Sequence, residues 1–420
     1  MSAVSPSKYN RIELQKKGKK SVELKGGVVS VDYYESLYSP TVTANVMYVD
    51  AGGNLEDDKN KLTSVKEALP ITGLEDLFFN ITNETGELKF LKKDAFKVSK
   101  APVMTRESNR QAVLLSVVSP QLKQNNDDPI FDKYKGKISD TVKKILKEKL
   151  KISNDKLDIE PTQNGYNFLG KGRGGLDLVL DLCKRSVPVK GDAGFFFYQT
   201  KSGFKFKSIN ELISQKPEFT LVYFGGFKQD NTEDNNDNKI MMPPRFEKDQ
   251  DVIKSLKGGV YRSRNIFFDP RTFCYEEVTY DISKEGVKKT LGGAPPFADD
   301  VKSFTKTFHH ILDVGSLDSN PSTEINNDPR EWQASSVMRY NLLHSQVVHI
   351  QIPCNLKLEA GNVIKMEIES TSANKEEGAK DEQQSGNYLI LNLCHHFTDR
   401  RSITSLTLVR DTYGIKRSKD

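Results

Sequence analysis

Six histidines, four cysteines and one glycine-rich run are the groups in this chain whose types and spacing could do chemistry. The run Gly170-Lys171-Gly172-Arg173-Gly174-Gly175 has the form G-x-G-x-x-G. In a dinucleotide-binding unit such glycines let the backbone approach a pyrophosphate at a helix N-terminus. That use requires an apolar strand just before the glycines, and here Pro161 to Phe168 is polar. No βαβ repeat surrounds it, so the run reads as a loop leading into a helix. There is no G-x-x-x-x-G-K-[ST] phosphate loop and no G-x-S-x-G nucleophile elbow. The histidines fall as His309-His310, His344, His349 and His395-His396. Adjacent residues of a strand point to opposite faces, so a histidine pair does not close on one metal ion. His344 and His349 lack the H-E-x-x-H spacing. Cys183, Cys274, Cys354 and Cys394 form no C-x-x-C pair, which argues against a zinc knuckle or a disulfide framework and for thiols of a reducing cytoplasm. Carboxylates are abundant, but no two stand out as a glycosidase pair. The expectation is a non-enzymatic protein with no catalytic, cofactor-binding or metal-binding residue and no cofactor.

The elements that would position such groups belong to more than one core. A chain of 420 residues exceeds what a single hydrophobic core holds, so two to four modules are expected. Charged residues make up 28% and hydrophobic ones 36%, yet 22 Phe and 15 Tyr suffice to build packed interiors. The net charge of +5 over 62 basic and 57 acidic residues argues against a genome-coating protein. One basic run, Lys16-Lys17-Gly18-Lys19-Lys20, reads as a solvated turn, with a nucleic-acid or anion contact as the alternative. Met1 to Asn10 has no apolar core of a secretory signal, and no apolar run approaches the roughly 20 residues of a membrane span.

Residues 1–20 are polar and read as an arm. From residue 21 to 120, short apolar alternations broken by Gly and Pro predict strands: Val42–Val49, Asp76–Thr82 and Gln111–Val118 among them. Residues 121–305 mix the two periods. Ser139–Leu150 and Leu176–Ser186 carry apolar residues at helical spacing, the first with Ser139 or Asp140 as its cap, and Gly194–Gln199 with Phe204–Phe206 predicts a hairpin. Asn231–Asn238 predicts a mobile loop, Gly292–Pro296 a second loop, and residues 225–305 show no clear order. Residues 306–420 return to strands at Gln346–Ile352, Val363–Ile368, Asn387–Leu393 and Thr404–Arg410, with a charged stretch over 370–385. Leu69-Pro70-Ile71-Thr72-Gly73 and Leu358-Glu359-Ala360-Gly361-Asn362 each lead from one strand to another, an echo consistent with two copies of one β module around an α+β insert. The fold class is α+β, mainly β.

Ordered segments at both ends carry a resemblance. Tyr34-Glu35-Ser36-Leu37-Tyr38-Ser39-Pro40 resembles a "Y-E-S-[LI]-[FY]-x-P" segment, and Leu69 to Glu75 resembles "L-P-I-x-G-x-E". Leu358 to Ile364 is similar to "L-x-x-G-[DN]-x-[IV]". Ser385 to Ile390 with His395-His396-Phe397 is similar to "S-G-x-Y-L-I … H-x-F", and Leu406 to Asp411 to "L-x-L-x-R-D". Tyr166–Ser186 and Phe195–Leu212 are similar to a helix-plus-hairpin insert. In this order the segments resemble the baseplate hub proteins of contractile-tailed bacteriophages, related to the hub portion of type VI secretion spikes.

The resemblance implies two tail-tube-like antiparallel β-barrel or sandwich domains, at 21–120 and 306–420, flanking a mixed middle domain. It implies a homotrimer whose pseudo-sixfold ring joins a trimeric cell-puncturing spike to the hexameric tail tube or a tube-initiator protein. Other baseplate subunits, a tape-measure protein, and DNA passing without sequence-specific binding would be further partners. The place implied is the virion tail baseplate, assembled in the host cytoplasm, with a role in DNA ejection and infection. A tail-associated glycan or peptidoglycan hydrolase, and a carbohydrate- or receptor-binding β module, are the alternatives.

Overall fold

The computed structural model describes residues 6–52, 55–56, 62–107, 110–223, 238–248, 251–285, 287–292, 306–317, 328–371 and 380–412. The chain is α+β and mainly β. Alternation builds the strands: Thr43–Asp50 buries Ala44, Val46 and Tyr48 and turns the residues between them outward. Val28–Ser36 lies on one side of it and Gln111–Val118 on the other. The sheet continues through Phe96–Lys100 and Asp76–Asn83 to Lys8–Gln15.

In the other direction Val28–Ser36 pairs antiparallel with Gly386–Thr398, from Ser36 opposite Asn392 to Ser30 opposite Thr398. Gly386–Thr398 then pairs with Ser402–Arg410, and that strand with Gln346–Pro353. Strands from the two ends of the chain thus form one 15-stranded sheet. The cores respect this seam only loosely. Cys354, Leu356 and Phe397 pack into the same cluster as Tyr33, Phe79, Phe90 and Phe96. A second cluster, with Ile350, Ile364, Tyr388 and Leu408, lies under the C-terminal strands.

The middle of the chain makes a separate layer. Helices Ile138–Lys144 and Gly175–Arg185 pack with the Phe195–Thr200 and Gly203–Ser208 hairpin, where Phe195, Phe197, Phe204 and Phe206 are all buried. The first helix begins after Lys137, so neither Ser139 nor Asp140 caps it. The distant Thr162 Oγ1 instead accepts from the Ser139 N–H at 3.0 Å, a tertiary contact that helix periodicity does not encode.

Two readings change. The arm expected over residues 1–20 contains the strand Lys8–Gln15, which pairs with Asp76–Asn83 and buries Ile12 and Leu14 completely. Polar residues on its outer face disguise it. The unordered stretch 225–305 contains Arg262–Asp269, which with Cys274–Asp281 and Lys306–Ile311 makes a three-stranded sheet. Helix Pro329–Leu343 packs beside it through Ala334, Met338 and Leu342. Its buried residues include Ser336 and Arg339 beside Ala334, Met338 and Leu342, so its buried side is a mixture of apolar and polar residues that marks it only weakly in sequence. The loop expected at 231–238 lies, apart from Asn238, outside the described residues, as do 293–296 and 372–379 of the two other expected loops.

Because Phe397 comes from a C-terminal strand and fills the N-terminal core, truncating it should weaken both β regions together. Phe397→Ala is expected to cost about 3–5 kcal/mol, read as one cooperative transition in chemical denaturation. Two separate transitions would show that the regions unfold independently.

Candidate functional site

The Tyr34–Pro40 segment places Glu35 on the inward side of Val28–Ser36, where it is 2% exposed. Its carboxylate accepts three hydrogen bonds, each of 2.8 Å, from Tyr33 Oη, the Lys201 N–H and the Ala360 N–H. These donors come from the seam strand itself, the middle hairpin and the Leu358–Ile364 turn. Glu359, one residue before Ala360, is also buried. It accepts from Thr200 Oγ1 at 3.0 Å, from Lys205 Nζ at 2.7 Å and from Ser202 Oγ. Lys201 Nζ donates to the Leu356 carbonyl. Gly361 closes the turn at φ +86°, where a Cβ would stand 2.3 Å from Tyr198 Oη.

His395 stacks on Tyr33 with ring centroids 6.1 Å apart and shares a 2.8 Å hydrogen bond between Nδ1 and Thr404 Oγ1. The result is a buried polar joint in which three parts of the chain meet on two carboxylates.

Charge in the joint is balanced unevenly. Burial, and then the neighbouring Glu359 carboxylate, push Glu35 up to about 7 against the pull of its three donors. Burial would raise Glu359 too, but the Lys205 ammonium, with Ser202 and Lys201, holds it below the usual carboxylate range. Burial lowers Lys201 despite both carboxylates. Burial and the Lys201 charge hold the His395 imidazole down to about 3, so it is neutral.

The other family-like segments converge on structural bonds as well. Arg410 is fully buried. It donates from Nε to the Thr412 carbonyl and from Nη1 to the Ser385 carbonyl, each at 2.8 Å, and lies 4.7 Å over the Tyr388 ring. Asp411 and Arg339 form an ion pair at 3.0 Å with both side chains at 0% exposure. Arg339 also donates to the Lys289 carbonyl at 2.7 Å, and Asp411 accepts from the Leu291 N–H at 2.9 Å. Glu75 accepts from the Thr72 N–H at 2.8 Å and the Gly73 N–H at 3.0 Å. Lys16, from the basic run, braces the same turn by donating to Thr72 Oγ1 at 2.7 Å.

The groups that sequence reading weighed for chemistry stay apart. His309 and His310 lie on Lys306–Ile311, with His310 bonded to Asn265 at 3.1 Å. His344 contacts Tyr38, His349 contacts Glu247 and His396 contacts Asp32. Among the described residues, no three His, Cys, Asp or Glu side chains are grouped to hold a metal ion. The glycine run is a packed loop before Gly175–Arg185. A Cβ at Gly170 would meet the Ile130 carbonyl at 2.3 Å, and one at Gly174 would meet the Asn125 amide at 2.3 Å. Asn125 Oδ1 accepts from the Leu176 N–H at 2.7 Å, so a side chain occupies the helix end a phosphate would need. Sequence reasoning missed the joint. Its only signal was that Glu35, Glu359 and His395 all fell within segments that resembled one family.

No known family matches the sequence, and no curated protein does. Solved structures do. The chain is similar to the tail protein from Neisseria meningitidis MC58, with TM-score 0.56 and 10% identity over 95% of this chain and 96% of that one. It is also similar to the 43 kDa tail protein of prophage MuSo2 from Shewanella oneidensis, with TM-score 0.51 and 11% identity over 96% and 98%. Both are tail proteins, so the resemblance drawn from the motifs is met at the level of the fold.

Two measurements test the joint. A carboxyl whose pKa is higher folded than unfolded favours the fold most at low pH and loses that contribution as pH rises through the folded value. Between about 4.5 and about 7, Glu35 should therefore lower stability as pH rises. Glu35→Gln is expected to remove that slope from the denaturation midpoint, even though its amide leaves one backbone N–H without an acceptor. An unchanged slope would contradict the assignment. Asp411→Ala leaves Arg339 charged and buried, and should cost about 3–5 kcal/mol in chemical denaturation; a loss below 1 kcal/mol, roughly that of an exposed pair, would show that the pair is not buried as described.

Proposed function

We propose that this chain is the structural hub of a contractile phage tail baseplate. It is a trimeric adaptor that joins a trimeric spike to a hexameric tail tube and surrounds the passage for DNA. One observation carries the reading: β regions from opposite ends of the sequence are fused into one sheet and locked by the Glu35 joint, in a chain that matches tail proteins along nearly its whole length. A symmetry adaptor needs this construction. Two β domains per chain, at about 21–120 and 306–420, give six in a trimer, and they stand in for six subunits only when held rigidly to one another. Closing a ring also covers sheet edges that would otherwise be open to pairing. Spike, tube or tube initiator, other baseplate subunits and tape-measure protein are the proposed partners, and the virion tail is the proposed location.

A hydrolase reading would need a solvent-reached carboxylate pair. The pair the structure brings together, Glu35 and Glu359, is 2% and 6% exposed and saturated with internal donors, which argues for scaffolding instead. The mass of the purified chain, alone and with its spike partner, tests the proposal. The expected species contains three 47.4 kDa chains. A monomer that persists with the spike present would overturn it.

A further inference from the structure

Residues 133–151 hold eight lysines and two carboxylates, Asp140 and Glu148, so this segment alone carries more positive charge than the +5 of the whole chain. It comprises the short strand Lys133–Tyr134, the helix Ile138–Lys144 and a π-helical turn, Ile145–Lys149. Burial divides it cleanly. Ile138, Val142, Ile145 and Leu146 fill the middle core, while every lysine is exposed or half-buried. Tertiary contacts gather the lysines onto one face. Lys144 Nζ lies 5.8 Å over the Tyr134 ring, and Lys149 pairs with Asp132 at 2.8 Å, which brings the end of the helix beside the strand.

Local structure accounts for only part of this charge. The helix dipole favours lysines in a last turn, such as Lys143 and Lys144. Lys133, Lys135 and Lys137 instead precede the first turn, where the dipole opposes them. Lys143 and Lys147 stand four residues apart, a spacing at which like charges repel and a glutamate would help the helix. Apolar side chains are exposed at the same place. Phe131 is 72% exposed, and Leu169, which lies opposite Lys133 in the ladder with Phe168–Leu169, is 45% exposed. A Cβ at Gly172 would stand 3.1 Å from the Phe131 ring, so the turn after Leu169 packs against the ring and keeps it at the surface.

We infer that this face of the middle region docks on an anionic phospholipid surface, its lysines on the headgroups and Phe131 with Leu169 at the boundary of the acyl chains. Among the described residues no helix is long and apolar enough to cross a membrane, and the contact inferred is peripheral. Clustered lysines beside exposed apolar side chains combine the two attractions that hold such a surface, charge and apolar burial. Lysine suits it, because its ammonium is a hydrated point charge on an apolar stem that lies along the interface. A face built for phosphates of nucleic acid favours the arginine fork. The arginine of the adjoining loop, Arg173, is bonded to Asp181. A merely solvated face would interleave the two signs and leave no apolar pair at its edge.

The test sediments the full chain with lipid vesicles at about 0.1 M salt, where surface charges still act across roughly 10 Å. The chain should pellet with vesicles of phosphatidylglycerol and phosphatidylcholine and stay in solution with phosphatidylcholine alone. Each lysine near an anionic surface multiplies partitioning roughly fivefold, so Lys143→Gln, Lys147→Gln and Lys151→Gln together should weaken binding roughly hundredfold. Phe131→Ser should weaken it about tenfold at unchanged charge. No binding to the anionic vesicles, or binding that either variant leaves at the wild-type level, would overturn the inference. Duplex DNA or polyglutamate that strips the chain from the vesicles at equal charge concentration would assign the face to a nucleic acid or an acidic protein, and would also overturn it. If the triple variant fails to fold, Phe131→Ser still decides. The inference does not rest on the hub reading. A trimer that ignores the vesicles sinks the inference alone, and a vesicle-binding chain that stays monomeric with the spike sinks the hub reading alone.

Discussion

The architecture depends on one buried carboxylate. Glu35 accepts backbone N–H groups from two segments far from it in sequence, at Lys201 and at Ala360. A buried acceptor left unpaired costs far more than a made hydrogen bond returns. The three segments therefore hold or fail together. The seam between Val28–Ser36 and Gly386–Thr398 supplies the extended contact, but a ladder alone permits sliding by two residues without turning side chains to the wrong face. The joint fixes which register is used, because only one places the Leu358–Ile364 turn over Glu35.

Around that constraint the remaining charged groups act as further ties. Arg339 with Asp411 links helix Pro329–Leu343 to the end of the last strand, and Arg410 links the same strand end to the turn before Gly386–Thr398. Buried ion pairs contribute little net stability compared with apolar packing, but their directional bonds discriminate sharply between arrangements. That discrimination keeps the angle between the two β regions single-valued.

Much of this was legible as pattern and little of it as contact. The strands at 43–50, 76–83, 111–118 and 346–353 follow directly from period-two alternation, and the helices near 139–150 and 176–186 from apolar residues at helical spacing. Lys8–Gln15 escaped because only Ile12 and Leu14 mark its buried side. Pro329–Leu343 escaped because its buried residues include Ser336 and Arg339, whose burial is tolerable only through partners elsewhere in the chain.

The sequence by itself determined which segments extend and which coil, the absence of a recognisable catalytic motif, and the ordered segments whose resemblance pointed to a tail-hub fold. Those are local properties, written in spacing and residue type. Only the tertiary structure decided that the first and last β regions share one sheet, that Glu35 and Glu359 meet, and that the glycine run is filled by Ile130 and Asn125. Each of these relates residues tens to hundreds of positions apart. Such pairings arise from long-range strand register and burial, which one-dimensional periodicity does not contain.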